Sequence, residues 1–174
     1  MKKRYTLLFS LLFYFTCIFS QTNTYNLHHS KELPSVNIKN IEGNIVNTSS
    51  ISNNGKPIII DFWTTYCIPC IRELNILNKY YDEWKSKTGV KIYIISLDKT
   101  ENITKVQQIM IDNNWEFILL HDPDNIFKDT MNVNGIPCTF VIDKERNIYF
   151  KHIGFYPGDE KDIFEELVQI YTNN

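Results

Sequence analysis

The stretch Ile58-Ile59-Ile60-Asp61-Phe62-Trp63-Thr64-Thr65-Tyr66-Cys67-Ile68-Pro69-Cys70-Ile71 joins a strand to a helix through a pair of thiols. Ile58 to Trp63 is apolar at every position but Asp61, the pattern of a strand buried on both faces. From Ile71 to Lys85, apolar residues recur at 71, 74, 77, 81 and 84, which is a helical period. Cys67 and Cys70 therefore sit at the start of a helix, and two thiols at this spacing can close a disulfide across one turn. The first also lies among unpaired backbone N–H groups at the positive end of the helix dipole, which favours its thiolate. A C-x-x-C beside a strand and a helix reads as a redox motif. Static disulfides and zinc knuckles share the spacing. Zinc needs further ligands, and no second C-x-x-C or H-x-x-x-H supplies them. His28 and His29 fall in a polar lead-in, while His121 and His152 are isolated, so no metal and no other cofactor is expected.

At 174 residues the chain suits one domain of ordinary size, with apolar residues enough for a core. Lys2, Lys3 and Arg4 precede an uncharged, mostly apolar run from Leu7 to Phe19, and Ser20 and Gln21 follow. That is the layout of a secretory signal, too short for a comfortable membrane span of about 20 residues. The expected organisation is a signal peptide over 1–20, a flexible lead-in over 21–33 and one domain over 34–174. Retention of the N-terminal segment as a membrane anchor, or acylation at Cys17, is the alternative to cleavage. Each version puts the domain outside the cytoplasm, in a periplasm or its equivalent.

Residues 1–20 hold three of the 18 Lys and Arg, against 20 Asp and Glu in the whole chain, so the mature net charge is about −5. This gives no support to nucleic-acid binding. Without Cys17 the cysteines are Cys67, Cys70 and Cys138, one pair and an extra thiol. They do not make the disulfide framework of a small secreted fold.

Elsewhere the chain alternates strand and helix patterns. Val36 to Ile38 and Ile45-Val46 flank Glu42-Gly43-Asn44, a short hairpin with its turn at Gly43. Lys91 to Leu97 reads as a strand, Asn102 to Asn113 as a helix and Phe117 to Leu120 as a short strand. A short helix holds Ile126 and Phe127. Cys138 to Ile142 and Ile148 to Ile153 are strands joined by a turn, and Asp159 to Tyr171 is an amphipathic helix. Such alternation predicts an α/β sheet with helices on both faces.

Two motifs carry a family resemblance. Asp61-Phe62-Trp63-Thr64-Thr65-Tyr66-Cys67-Ile68-Pro69-Cys70 resembles the active-site stretch of the thioredoxin superfamily. Gly135-Ile136-Pro137-Cys138-Thr139-Phe140-Val141-Ile142-Asp143 resembles that superfamily's cis-proline loop and the strand after it. The signal peptide, the early hairpin and the added helix and strand near 102 to 120 resemble the extracytoplasmic TlpA/ResA branch. The resemblance covers roughly 34 to 171. It implies a thioredoxin-like α/β fold: a central mixed sheet flanked by helices, with an N-terminal β-hairpin and a helix–strand insert.

The resemblance also implies roles. Cys67 would be the attacking thiolate and Cys70 the resolving thiol, together forming a redox-active disulfide. Pro69, in the first helical turn, costs no hydrogen bond there. Asp61 is an acid in an apolar strand, so burial should raise its pKa. By resemblance it lies beneath the dithiol and exchanges a proton with Cys70; an ion pair with Lys56 is the competing reading. The Ile136–Pro137 bond would be cis, with the Ile136 backbone pairing to an extended substrate segment. Trp63 and Tyr66 would complete the substrate surface, with core packing as the alternative for Trp63. Glu73 matches an acidic position frequent after the C-x-x-C of the branch. Cys138, standing where Thr is usual, is either a buried strand residue or a third participating thiol.

These residues imply an extracytoplasmic protein thiol–disulfide oxidoreductase. Ile68-Pro69 offers no histidine to stabilise the Cys67 thiolate, which argues for reduction rather than oxidation. The branch resemblance implies cytochrome c maturation or general thiol upkeep, with protein substrates, a membrane electron donor and a monomeric state. A thiol peroxidase is the first alternative, because Thr64 precedes Cys67 by three residues, although Ile60 stands where that motif has proline. A copper-chaperone-like metal-binding module is the second, and it needs a wider cysteine spacing and a histidine ligand.

Overall fold

The computed structural model describes residues 31–172. The expected signal peptide and residues 21–30 of the lead-in lie outside the described residues. A hairpin of β1 (Asn37–Lys39) and β2 (Ile45–Asn47) comes first, and β3 (Ile58–Trp63) then runs into α1 (Ile68–Thr88). β4 (Lys91–Ser96), α2 (Ile103–Asp112), β5 (Ile118–His121) and α3 (Ile126–Thr130) follow. β6 (Cys138–Ile142), β7 (Ile148–Ile153) and α4 (Asp159–Thr172) close the described chain. The strands form one mixed sheet in the order β2-β1-β5-β4-β3-β6-β7. β3 is parallel to β4 and antiparallel to β6, and the hairpin joins the sheet where β1 pairs antiparallel with β5.

Strand alternation divides β3 between two cores. Ile59 and Trp63 pack with Leu74, Leu77 and Trp84 of α1 and with Ile163 and Leu167 of α4. Ile58, Ile60 and Phe62 pack on the other face with Phe127 of α3 and with Phe140. Each fully buried Leu or Phe contributes about 2 kcal/mol of hydrophobic stabilisation. Asp61 shares the face of Ile59 and Trp63, so the one acid of the strand points under α1.

Helix α1 starts at Ile68, so Pro69 and Cys70 lie in its first turn as expected, although the apolar stripe begins only at Ile71. Periodicity misses this turn because Ile68 and Pro69 are exposed and carry no core pattern. Cys67 is the N-cap, its Sγ accepting the Cys70 N–H at 3.2 Å. The helix ends at Gly89, whose φ of 70° is a conformation few other residues adopt. Lys31 and Leu33 differ from expectation. Leu33 is buried and donates its N–H to the Arg146 carbonyl at 2.8 Å, while Lys31 accepts from Ile148 N–H. The end of the lead-in is therefore held against the β6–β7 turn, because Leu33 has an apolar pocket to fill.

Candidate active site

The Cys67 and Cys70 thiols form a disulfide across the first turn of α1. The two sulfurs differ in access. Cys70 is wholly buried, Cys67 is 8% exposed, and the surrounding Tyr66, Ile68 and Pro69 are exposed. A thiol partner from outside therefore meets Cys67 first. Beside the disulfide, the Ile136–Pro137 peptide bond is cis, and the Pro137 carbonyl accepts Gly154 N–H at 2.8 Å. Pro137 is buried and Ile136 is half-buried at the rim.

One helical turn beyond Cys70, on the side of α1 that faces the sheet, lies a pair of buried carboxyl groups. Asp61 on β3 is opposite Thr139 on β6 in the antiparallel register, so their side chains share a face. Glu73 follows Cys70 by three residues on α1, which puts both on the helix's buried side. The Thr139 Oγ1 lies 2.8 Å from Asp61 Oδ2 and 2.6 Å from Glu73 Oε1. A hydroxyl has a single hydrogen and donates it to one carboxylate. The other short contact is then an O–H donated by a protonated carboxyl to the Thr139 oxygen. Hydrogen-bond arithmetic alone thus puts one proton on this pair.

Electrostatics agree. Burial raises Asp61 well above the usual carboxylate range, the nearby Glu73 raises it further, and the Thr139 hydrogen bond opposes both. Burial likewise pushes Glu73 up to about 7, partly offset by Thr139, with the charge of Asp159 adding to the rise. Asp61 Oδ1 and Glu73 Oε2 are buried and make no hydrogen bond within the described chain. Two free acceptor oxygens and a shared proton make a store able to take one proton more. The Lys56 ion pair weighed for Asp61 does not form, and the aliphatic stem of Lys56 lies over Gly89 instead.

Trp63 corrects the expected substrate surface. It is fully buried and meets Trp115 edge-to-face at 5.3 Å, supporting the site from below. Alternation along β3 forces this, since Trp63 shares the α1-covered face with Ile59 and Asp61. Tyr66, by contrast, is 72% exposed beside Cys67. Cys138 is wholly buried in the opposite core among Phe62, Phe140 and Phe127, one residue out of phase with Thr139. Burial pushes its thiol up to about 12. Glu73 is the residue whose importance the sequence understated. Its signal was the helical stripe 70, 74, 77, in which an acid at 73 faces inward.

Known proteins resemble this chain in sequence and fold. The AhpC/TSA family model matches residues 30–151. The thiol-disulfide oxidoreductase ResA of Bacillus cereus is 30% identical over 71% of this chain and 69% of its own length. The thiol:disulfide interchange protein DsbE of Haemophilus influenzae is 29% identical over 81% of this chain and 74% of its own. A thioredoxin-like protein from Porphyromonas gingivalis superposes with a TM-score of 0.73 at 37% identity, covering 87% of this chain and 96% of that one.

Proposed function

This chain belongs to the AhpC/TSA family within the thioredoxin superfamily, and on that footing we propose that it is an extracytoplasmic protein thiol–disulfide reductase working through Cys67 and Cys70. The observation that carries the reading is a helix-start disulfide in which Cys67 keeps 8% exposure and Cys70 is wholly buried, one helical turn from a carboxyl pair that holds a proton. In the reduced protein the Cys67 thiolate attacks one sulfur of a substrate disulfide. The substrate's second sulfur leaves with the electron pair and takes a proton from solvent. Cys70 gives its proton to the Asp61–Glu73 pair and attacks Cys67. The substrate's first sulfur leaves with the electron pair and takes a proton from solvent, and the protein ends oxidised.

The substrate is thereby reduced by two electrons, which a membrane electron donor outside this chain must replace. By the family resemblance the backbone of the half-buried Ile136 pairs with an extended substrate segment, and the exposed Tyr66 offers an apolar ledge. The absence of histidine from Ile68-Pro69 favours the reducing direction, and thiol upkeep or cytochrome c maturation is the task that fits. The signal-like sequence of residues 1–20 supports an extracytoplasmic setting. No helix among the described residues is long and apolar enough to cross a membrane.

Cys67→Ser should abolish insulin reduction, and Cys70→Ser should accumulate mixed disulfides through Cys67. Retained activity in the first variant would remove Cys67 from its role. The potential of the couple decides direction: about −270 mV fits a reductase and about −120 mV an oxidant.

A further inference from the structure

A hollow lies beside the chain neighbours of the disulfide and of the cis proline. It holds about 340 Å³ and opens at the C-terminal ends of β3, β4 and β5, the usual place for a ligand on a parallel sheet. Tyr66 and Ile136, the chain neighbours of Cys67 and Pro137, form its wall nearest the chemistry. A larger hollow of about 1020 Å³ lies between the hairpin and α2, mostly apolar and without a thiol.

Most polar side chains of the smaller hollow can donate a hydrogen bond. Lys99 is exposed and makes no ion pair among the described residues, while Lys128 reaches Asp129 at 3.0 Å at an exposed edge. The amides of Asn102, Asn125 and Asn134 make no side-chain hydrogen bond within the described chain, although the first two stand at helix N-cap positions. Thr64 Oγ1 is buried in the wall without a partner. The lining holds a single acid, Asp98, and its carboxyl faces inward. It accepts Thr65 N–H at 2.8 Å, the Thr65 hydroxyl at 2.7 Å and the Ser96 hydroxyl at 3.0 Å. Unengaged ammonium, amide and hydroxyl donors around one small hollow suit a carboxylate, which accepts up to four hydrogen bonds. One extended residue spans about 3.4 Å. A side chain adjacent to a cysteine bonded to Cys67 therefore reaches a pocket walled by Tyr66 and Ile136.

We propose that this pocket binds the carboxylate of an acidic residue beside the substrate's reacting cysteine, so that the preferred substrates are extended segments with Asp or Glu next to that cysteine. The inference rests on the thiol–disulfide reading of the neighbouring site and names its substrate class. Specificity arises because the carboxylate is gripped as the Cys67 sulfur bonds to the substrate sulfur.

The test uses the reduced full chain and short peptides whose cysteine is capped as a 2-pyridyl disulfide. The Cys67 thiolate bonds to the peptide sulfur, the peptide–pyridyl S–S bond breaks, and 2-thiopyridone leaves with the electron pair and a proton. Its absorbance reads the attack. At about 0.15 M salt, a Glu neighbour should speed release about tenfold over Gln, the size of one charge-assisted hydrogen bond. Lys99→Glu should reverse the order, favouring a Lys-flanked peptide over the Glu-flanked one, whereas a misfolded variant would slow all peptides alike. Lys79→Gln, on the distant outer face of α1, should leave the preference intact.

Equal rates for Glu and Gln peptides in the wild type, or an unchanged order in Lys99→Glu, would overturn the pocket and leave the oxidoreductase reading standing. Release from no peptide would overturn both. If glutathione disulfide reduction depends on Lys99 while the peptides show no preference, the carboxylate belongs to a small molecule and the peptide assignment falls.

Discussion

Replacing Glu73 with Gln tests the buried carboxyl pair most directly. The fold raises Glu73 from an ordinary 4.5 to about 7. The unfolded chain releases this proton near its ordinary value, while the folded chain keeps it to about neutrality. Between those limits the folded state binds more protons, so its stability falls as pH rises. At about 1.4 kcal/mol per pKa unit, Glu73 costs the oxidised protein about 3 kcal/mol once pH passes its folded value. Asp61 adds a loss of the same sign, because its pKa is raised too.

Gln keeps the length and shape of the side chain and cannot ionise. Its amide also relieves Asp61 of a neighbouring charge. Urea unfolding of wild type and Glu73→Gln, disulfide intact, at pH 5 and pH 8 gives the stability difference at each pH. The variant should gain about 3 kcal/mol on the wild type between those values. The His152–Asp159 pair, 3.0 Å apart, is present in both proteins and largely cancels in the difference. A difference that does not change with pH would refute both the raised pKa and the proton that Thr139 requires.

Thr139→Val removes the hydroxyl that lowers both carboxyl pKa values, so the Glu73 midpoint should rise above about 7 in carboxyl-carbon NMR. It should also cost about 1–3 kcal/mol for two buried groups left without their partner. Cys138→Ala should retain insulin reduction and lose about 1–2 kcal/mol in urea unfolding, and wild-type Cys138 should resist iodoacetamide until the chain unfolds. Loss of reductase activity in Cys138→Ala would make it a working thiol. Gly89→Ala should cost about 1–2 kcal/mol, since its φ is 70° and a Cβ there would stand 2.5 Å from Lys56 Cδ. An unchanged melting temperature would count against that backbone conformation.

Much of this protein was legible in its sequence because the signals are local. The continuous apolar run of β3, the helical stripe of α1 and the hairpin turn at Gly43 each lie within a few residues, and so does the C-x-x-C. Alternation of strand and helix then pointed to an α/β sheet and the family resemblance to a mixed one, which the strand pairings bear out. Where the sequence misled, the cause was a choice between faces. Trp63 was expected at the surface and lies in the core, because the pleat ties it to the side of Asp61. The first turn of α1 was legible from its thiols and proline and not from periodicity, because Ile68 and Pro69 are exposed and carry no stripe.

The sequence by itself determined which chemistry was present: two thiols at a helix start, an acid in an apolar strand, and a proline ahead of a later strand. Only the tertiary structure decided how those groups meet. Asp61, Glu73 and Thr139 come from β3, α1 and β6, and their shared proton follows from two contacts across the sheet and helix. Cys138 and Thr139 are adjacent in the chain, yet the pleat sends one to the opposite core and the other to the carboxyl pair. Residue spacing within one element fixes only that element's faces. Which face meets which depends on strand register and helix packing, set by contacts distant in sequence.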